Sequence, residues 1–361
     1  MQRGCMLNPR LRDTPATSVP NRPRVGAGAR AWLYEPVRSR VLAGLLAAAF
    51  LLAACGGGGG SKKAQPSTSA DKDPQGLSAE TASFDLATGP PSRYLIGLFT
   101  NDQRGVSFGQ IQLQFCFLGA TQASQPCQLS APVTATFLPT PGTDVPAGKT
   151  APEVISPSGP KGVYEAQAGF DKAGIWQTHV VASVAGKQRQ ADTSFQVLER
   201  HAIPAVGDAA IPTDNLTVNT PAASPAAIDS RASAGGLVPD PELHQTTIAA
   251  AIAAHRPALV VFSTPVYCQS RFCGPITDMV GGLAKTYGDR ASFIHVEIWK
   301  DYQQQTANKA ATDWLYRNDN LNEPWVFLIG ADGKIAARWD NVSTQAEIEP
   351  LLQKLPVIGR G

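Results

Sequence analysis

Between residues 84 and 198 lie short runs, several of which alternate apolar and polar positions with period two. In "IQLQFCFLG" (111–119), Ile111, Leu113, Phe115 and Phe117 share one face with glutamines between them, the pattern of a half-buried strand. "RYLIGLF" (93–99), "VTATFLP" (133–139), "GVYEAQAGF" (162–170), "IWQTHVVASV" (175–184) and "TSFQVLE" (193–199) are similar short runs, each bounded by Gly, Pro, Asn or Asp. About seven short strands separated by turn signals predict an all-β sandwich over 84–198. Residues 199–236 lose this periodicity and read as a linker laid over the surface.

From 237 the period changes. "TTIAAAIAAH" (246–255) predicts a helix, and "ALVVFS" (258–263) a strand apolar on both faces. "ITDMVGGLAKTYG" (276–288) is amphipathic, with Ile276, Met279, Val280, Leu283 and Tyr287 on one face. A strand (292–299) and a helix (308–318) follow. "PWVFLIG" and "IAARWD" flank Asp332-Gly333, a hairpin signal, and "STQAEIEPLLQKL" (343–355) closes the chain as a helix. The order is that of an α/β layered domain over 237–358.

Upstream, "RSRVLAGLLAAAFLLAAC" (38–55) sets Arg38 and Arg40 before an uninterrupted small or apolar run from Val41 to Ala54. The run is short for a bilayer span, which takes about 20 residues. It ends at Cys55, followed by five glycines and a Ser-, Lys- and Pro-rich tract. This tripartite pattern resembles the bacterial lipoprotein signal. The resemblance implies that residues 1–54 are an export segment, that Cys55 is lipidated, and that 55–83 is a flexible tether. The mature protein would then stand on the extracytoplasmic face of the membrane, held by its lipid. Residues 1–37 do not fit the signal, and translation from near Val37 would give one of ordinary length.

The chain has 361 residues, 31 basic and 29 acidic, for a net charge of +2. That balance gives no electrostatic reason to propose a nucleic-acid partner. Gly56–Gly60 follows the signal rather than a strand, so the context of a phosphate-binding loop is absent. His179, His201, His244 and His255 are scattered and form no ligand-spaced cluster, so neither a cofactor nor a metal ion is expected.

The candidate chemistry lies in "VYCQSRFCGP" (266–275), between the 258–263 strand and its helix. A strand delivering two cysteines to a helix N-terminus, followed by "NEPWVFLIGADGKIAARW" and a last helix, resembles thioredoxin over 237–358. The resemblance implies a thioredoxin-like fold, a cis-proline at Pro324, and thiol–disulfide exchange by Cys268 and Cys273 with protein thiols and disulfides of the cell envelope. The motif departs from the family: the spacing is Cys-x4-Cys rather than Cys-x-x-Cys, and Tyr267 replaces the usual Trp. Two alignments are open. In one, which keeps the helix length, Cys268 is the nucleophile and Cys273 resolves. In the other, "FCGPI" matches "WCGPC" and Cys273 is the nucleophile. Pro275 disfavours helical conformation at Gly274, which places both cysteines in the loop before the helix. Glu323, just before Pro324, faces the same cleft.

Two other readings of the pair stand beside this one. A thioredoxin-fold copper chaperone would add a downstream histidine to two thiolates, and His295 is the only histidine after them, inside a predicted strand. A non-catalytic binding or assembly lipoprotein would use Cys268–Cys273 as a structural disulfide, common in exported proteins. The stretch "GVYEAQAGFDKAGIWQTHVVA" resembles the last strands of immunoglobulin-like modules in bacterial envelope proteins. With Cys5 removed and Cys55 lipidated, Cys116 and Cys127 are left as a second local pair, a structural disulfide. The expected fold class is therefore multidomain: an all-β immunoglobulin-like sandwich followed by an α/β thioredoxin-like domain.

Overall fold

A computed structural model describes residues 76–121, 123–232, 236–268, 270–318 and 320–359; the export segment, Cys55 and most of the tether lie outside them. Among the described residues no helix is long and apolar enough to cross a membrane. The chain is mostly β.

The first sheet has seven antiparallel strands: β1 (Leu77–Thr81), β2 (Ser92–Thr100), β3 (Gln110–Gly119), β4 (Val133–Pro139), β5 (Gly162–Ala168), β6 (Gly174–Val184) and β7 (Lys187–Val197). Their order is β1-β2-β5-β4-β3-β6-β7. β4 pairs with both β3 and β5, so one ladder runs through all seven strands. The sheet curls until β1 approaches β7, which makes it nearly a barrel with a sandwich-like interior. Tyr94, Ile96, Ile111, Leu113, Tyr164 and Phe170 fill that interior. The Tyr94 hydroxyl lies 2.6 Å from Thr178 Oγ1, so its burial leaves no orphaned polar atom. Cys116 on β3 is bridged to Cys127 in the loop that follows.

Two boundaries differ from expectation. The tether, expected to reach residue 83, ends sooner, because β1 pairs along the β2 edge from Leu77↔Thr100 to Thr81↔Ile96. "LSAET" has too few apolar residues to announce a strand; the open edge of β2 recruits it. The 199–236 segment is not a surface linker where it is described. Ile203 and Ala210 join the second core, and Ala227, Ile228, Asp229 and Ser230 are buried.

The second sheet has four strands, β8 (Ala258–Ser263), β9 (Ser292–Glu297), β10 (Trp325–Ile329) and β11 (Ile335–Asp340), in the order β9-β8-β10-β11. β8 and β9 are parallel and the other pairs antiparallel. The longer helices are α1 (Ile248–Ala253), α2 (Cys273–Tyr287), α3 (Lys309–Leu315) and α4 (Gln345–Gln353). Successive β8 residues enter opposite cores. Val260 and Phe262 pack with Ile248 of α1 and Trp314 of α3. Leu259 and Val261 pack with Ile276 and Val280 of α2 and Ile348 of α4. Helices on both faces explain why β8 reads as a continuous apolar run.

The two sheets meet along β2 and the end of β11. The Arg93 guanidinium donates to the carbonyls of Asp340 (3.0 Å) and Val342 and to Glu347 Oε1 (3.2 Å). The Phe84 amide donates to Asp340 Oδ2 at 2.6 Å, and Asn341 Nδ2 to the Ala82 carbonyl at 2.9 Å. Leu95, Val163 and Val342 form a small apolar core there, with Phe272 packed against it.

Candidate functional site

β8 ends at Ser263 and hands the chain to a loop carrying Cys268; α2 begins at Cys273. The two cysteines are joined as a disulfide with Cα atoms 6.0 Å apart. One detail corrects the sequence reading: Cys273 is not in the loop but is the first residue of the helix. Pro275, three residues in, is tolerated because the first four helical amides have no intrahelical acceptor to lose. The Pro265 carbonyl lies 3.6 Å from where a Gly274 Cβ would stand, so the turn is close but not jammed.

Cys268 is half-buried whereas Cys273 is 0% exposed. Cys268 is therefore the more accessible of the two. Val266 is 54% exposed, and the Tyr267 ring stacks on Tyr302 at 3.8 Å, so an apolar and aromatic rim borders the accessible sulfur.

Pro324 is buried, and the Glu323–Pro324 peptide is cis. The turn brings the Glu323 carboxyl under the disulfide, with Oε2 3.6 Å from Cys273 Sγ. The Thr264 amide donates to the same oxygen at 2.5 Å. Burial pushes the Glu323 carboxyl up to about 8; the nearby charge of Glu297 adds to the rise and the Thr264 bond opposes it. Glu297 is itself buried and raised by desolvation, and its Oε2 accepts from the Ser230 amide at 2.8 Å. A carboxyl held near neutrality beside a thiol can take or return a proton.

The sequence placed Cys268, Cys273, Pro324 and Glu323 together, and they are together. The copper-chaperone reading would bring His295 to the cysteines; the structure instead groups it with Asp229 and His244. His295 Nε2 lies 3.0 Å from the Ser263 carbonyl, and its Nδ1 faces Asp229 Oδ2 at 3.4 Å. His244 Nε2 faces the same oxygen at 3.4 Å. The histidines read as scattered are thus partly clustered. Their positions, 244 and 295, follow no ligand spacing in sequence; only the packing of residues 227–232 and 241–244 against β9 joins them. The donors near the disulfide are instead Cys268, Cys273 and Glu323, all within 4.8 Å of one another.

No protein-family model, no curated protein and no solved structure matches this chain.

Proposed function

We propose that this chain is a thiol–disulfide oxidoreductase of thioredoxin-like build, anchored by a lipid on Cys55 to the extracytoplasmic face of a bacterial membrane, and acting on protein thiols and disulfides there. The observation that carries the reading is the Cys268–Cys273 disulfide at the α2 N-terminus with the Glu323 carboxyl 3.6 Å from Cys273 Sγ. The sheet order β9-β8-β10-β11, with α2 crossing over from β8 to the parallel β9, supports the thioredoxin-like assignment. The first sheet supports an immunoglobulin-like assignment. Its strands divide into β1-β2-β5-β4 and β3-β6-β7, the strand sets of a seven-stranded immunoglobulin sandwich, joined at the β4–β3 pairing.

In the reduced protein the Cys268 thiolate attacks a substrate disulfide. A mixed disulfide forms and one substrate thiolate leaves. Glu323, in its ionised form, then accepts the Cys273 thiol proton, and the Cys273 thiolate attacks Cys268 Sγ. The Cys268–Cys273 disulfide forms, the second substrate thiolate leaves, and the two released thiolates take up protons. The substrate gains two electrons and the protein loses two; a dithiol reductant restores it. The steps run backwards when a substrate dithiol is oxidised. The helix N-terminus at Cys273 favours each transient thiolate.

Trapping tests this assignment of roles. Cys273→Ser is expected to accumulate mixed disulfides through Cys268, and Cys268→Ser to trap none. The reverse pattern would make Cys273 the nucleophile. Absence of trapping in both variants, with a pair that resists mild reductant, would make the bridge a staple. The anchor is tested separately: mass spectrometry of the membrane fraction should find a diacylglyceryl peptide beginning at Cys55, and an unmodified Cys55 with its upstream segment intact would refute it.

A further inference from the structure

Behind the disulfide loop, Asp229, His244 and His295 converge, each with a side chain 0% exposed. Among these donors, Asp229 Oδ2 stands 3.4 Å from both His244 Nε2 and His295 Nδ1, and all three lie within 4.8 Å of one another. Neither nitrogen makes a hydrogen bond of good geometry, although each faces Asp229 at ion-pair distance, and His244 Nδ1 has no hydrogen-bond partner either. His295 Nε2 faces a carbonyl oxygen, which can only accept, so Nε2 carries the proton. In a neutral ring Nδ1 is then a bare lone pair aimed at a carboxylate. Two acceptors buried face to face repel unless a positive charge lies between them.

We propose that Asp229 Oδ2, His244 Nε2 and His295 Nδ1 form a binding site for a divalent transition-metal ion, with zinc(II) the best fit. Ligands about 2.0–2.1 Å from a tetrahedral zinc stand about 3.3–3.4 Å from each other, and both measured separations are 3.4 Å. That is long for a charge-assisted hydrogen bond, which runs about 2.7–2.9 Å. Two imidazoles and a carboxylate suit zinc among the common divalent ions. The surroundings also fit. His295 presents one nitrogen inward while the other donates to a backbone carbonyl, the arrangement that fixes a metal-ligating ring. Arg231 holds Asp229 from outside, with Nη2 on Oδ2 at 2.7 Å and Nε on Oδ1 at 3.1 Å. A carboxylate oxygen has lone pairs for both Arg231 and an ion.

The ion would pin Asp229 and His244 to His295 on β9, beneath the loop that carries Cys268. Ser230, next to Asp229, accepts from the Val266 amide at 3.2 Å, and its own amide donates to Glu297. Metal occupancy therefore sets the position of the loop that carries Cys268. This inference does not rest on the thiol chemistry. It stands or falls with the full chain in its oxidised form, where the four cysteines of the described residues are bridged.

The test uses that oxidised chain, with Cys5 and Cys55 alkylated, exposed to zinc chloride and then gel-filtered. One zinc per chain is expected. Cobalt(II) in its place should give a visible ligand-field band without thiolate charge transfer. Zinc should raise the melting temperature of the wild type, and His244→Gln should lower zinc affinity at least about tenfold. Because that variant risks misfolding, nitrogen-15 NMR of the wild-type imidazoles gives a second readout: His244 Nε2 and His295 Nδ1 must both shift on zinc addition. Failure to retain zinc, with His295 Nδ1 protonated at neutral pH, would show that a proton fills the gap. Zinc bound without shifting both rings would also overturn the proposal.

Discussion

Under the disulfide, Glu323 carries a carboxyl raised to about 8 in the folded chain from an ordinary value of 4.5. Between those values the native state holds a proton that the unfolded state does not. Its contribution to stability is full below pH 4.5 and declines as pH rises through 8. The groups facing it are the Glu297 carboxylate, the Thr264 amide and the Cys273 sulfur. Denaturant melts of the oxidised protein at pH 5 and pH 8.5 should therefore show a loss on the order of 2 kcal/mol, allowing for solvent screening of a half-buried group. Glu323→Gln should remove most of that difference, and an unchanged slope in the variant would mean that Glu323 ionises normally. On the proposed mechanism the same substitution takes the proton acceptor from Cys273. Resolution of a mixed disulfide, followed by stopped flow, should slow roughly 100-fold, while formation of that mixed disulfide by Cys268 should change little. At this scale the sequence showed Cys268, Cys273, Pro324 and Glu323, because each lies at a predictable point of a strand–helix or loop–strand junction. Asp229 and His244 were illegible, since only tertiary packing brings them to His295.

The elements divide by how each is held. β6 alternates along its whole length and β3 as far as Phe115, because one face packs inward, so their spans could be read closely; beyond Phe115 the alternation fails, since Cys116 is buried and the register shifts between Phe117 and Gly119. β8 could be read from its apolar run and flanking signals, being covered on both faces. β1 could not, since Ala79 is its one buried side chain and its stability comes from pairing with β2. The 199–236 segment misled for a related reason: it has no period, yet it buries isolated residues such as Ile203 and Ile228 in gaps left by regular elements. The start of α2 was read a few residues late, because Pro275 looks like a first-turn boundary and is tolerated as the third helical residue. The Cys116–Cys127 bridge closes a short loop, 11 residues apart in sequence, at the edge of β3. Replacing both cysteines by alanine should destabilise the first sheet by about 2–3 kcal/mol, seen as a lower denaturation midpoint. Thiol exchange by Cys268–Cys273 should persist in that variant, and its loss would tie the two bridges together functionally.

Across the whole molecule, Arg93 links the sheets. One guanidinium on β2 serves the Asp340 and Val342 carbonyls and Glu347 at the start of α4. The Asn341 amide in turn donates to the Pro324 carbonyl at 2.9 Å, so the same junction braces the turn beside the disulfide. Arg93→Ala strands partly buried acceptors and should cost about 3 kcal/mol. Hydrogen exchange should quicken first at residues 340–347, and uniform quickening across both sheets would show that the junction is not a distinct unit. The central claim is that Cys268–Cys273 is an exchanging pair rather than a staple. The accessible Cys268, the helix N-terminus at Cys273 and the proton-accepting Glu323 all favour easy reduction. The most direct test is the reduction potential of this pair in the lipid-free chain, equilibrated against glutathione buffers and read by alkylation and mass spectrometry. A value well above about −300 mV, within the range of known disulfide oxidoreductases, is the expected result. A value below that level would contradict the account and leave the bridge as a structural one.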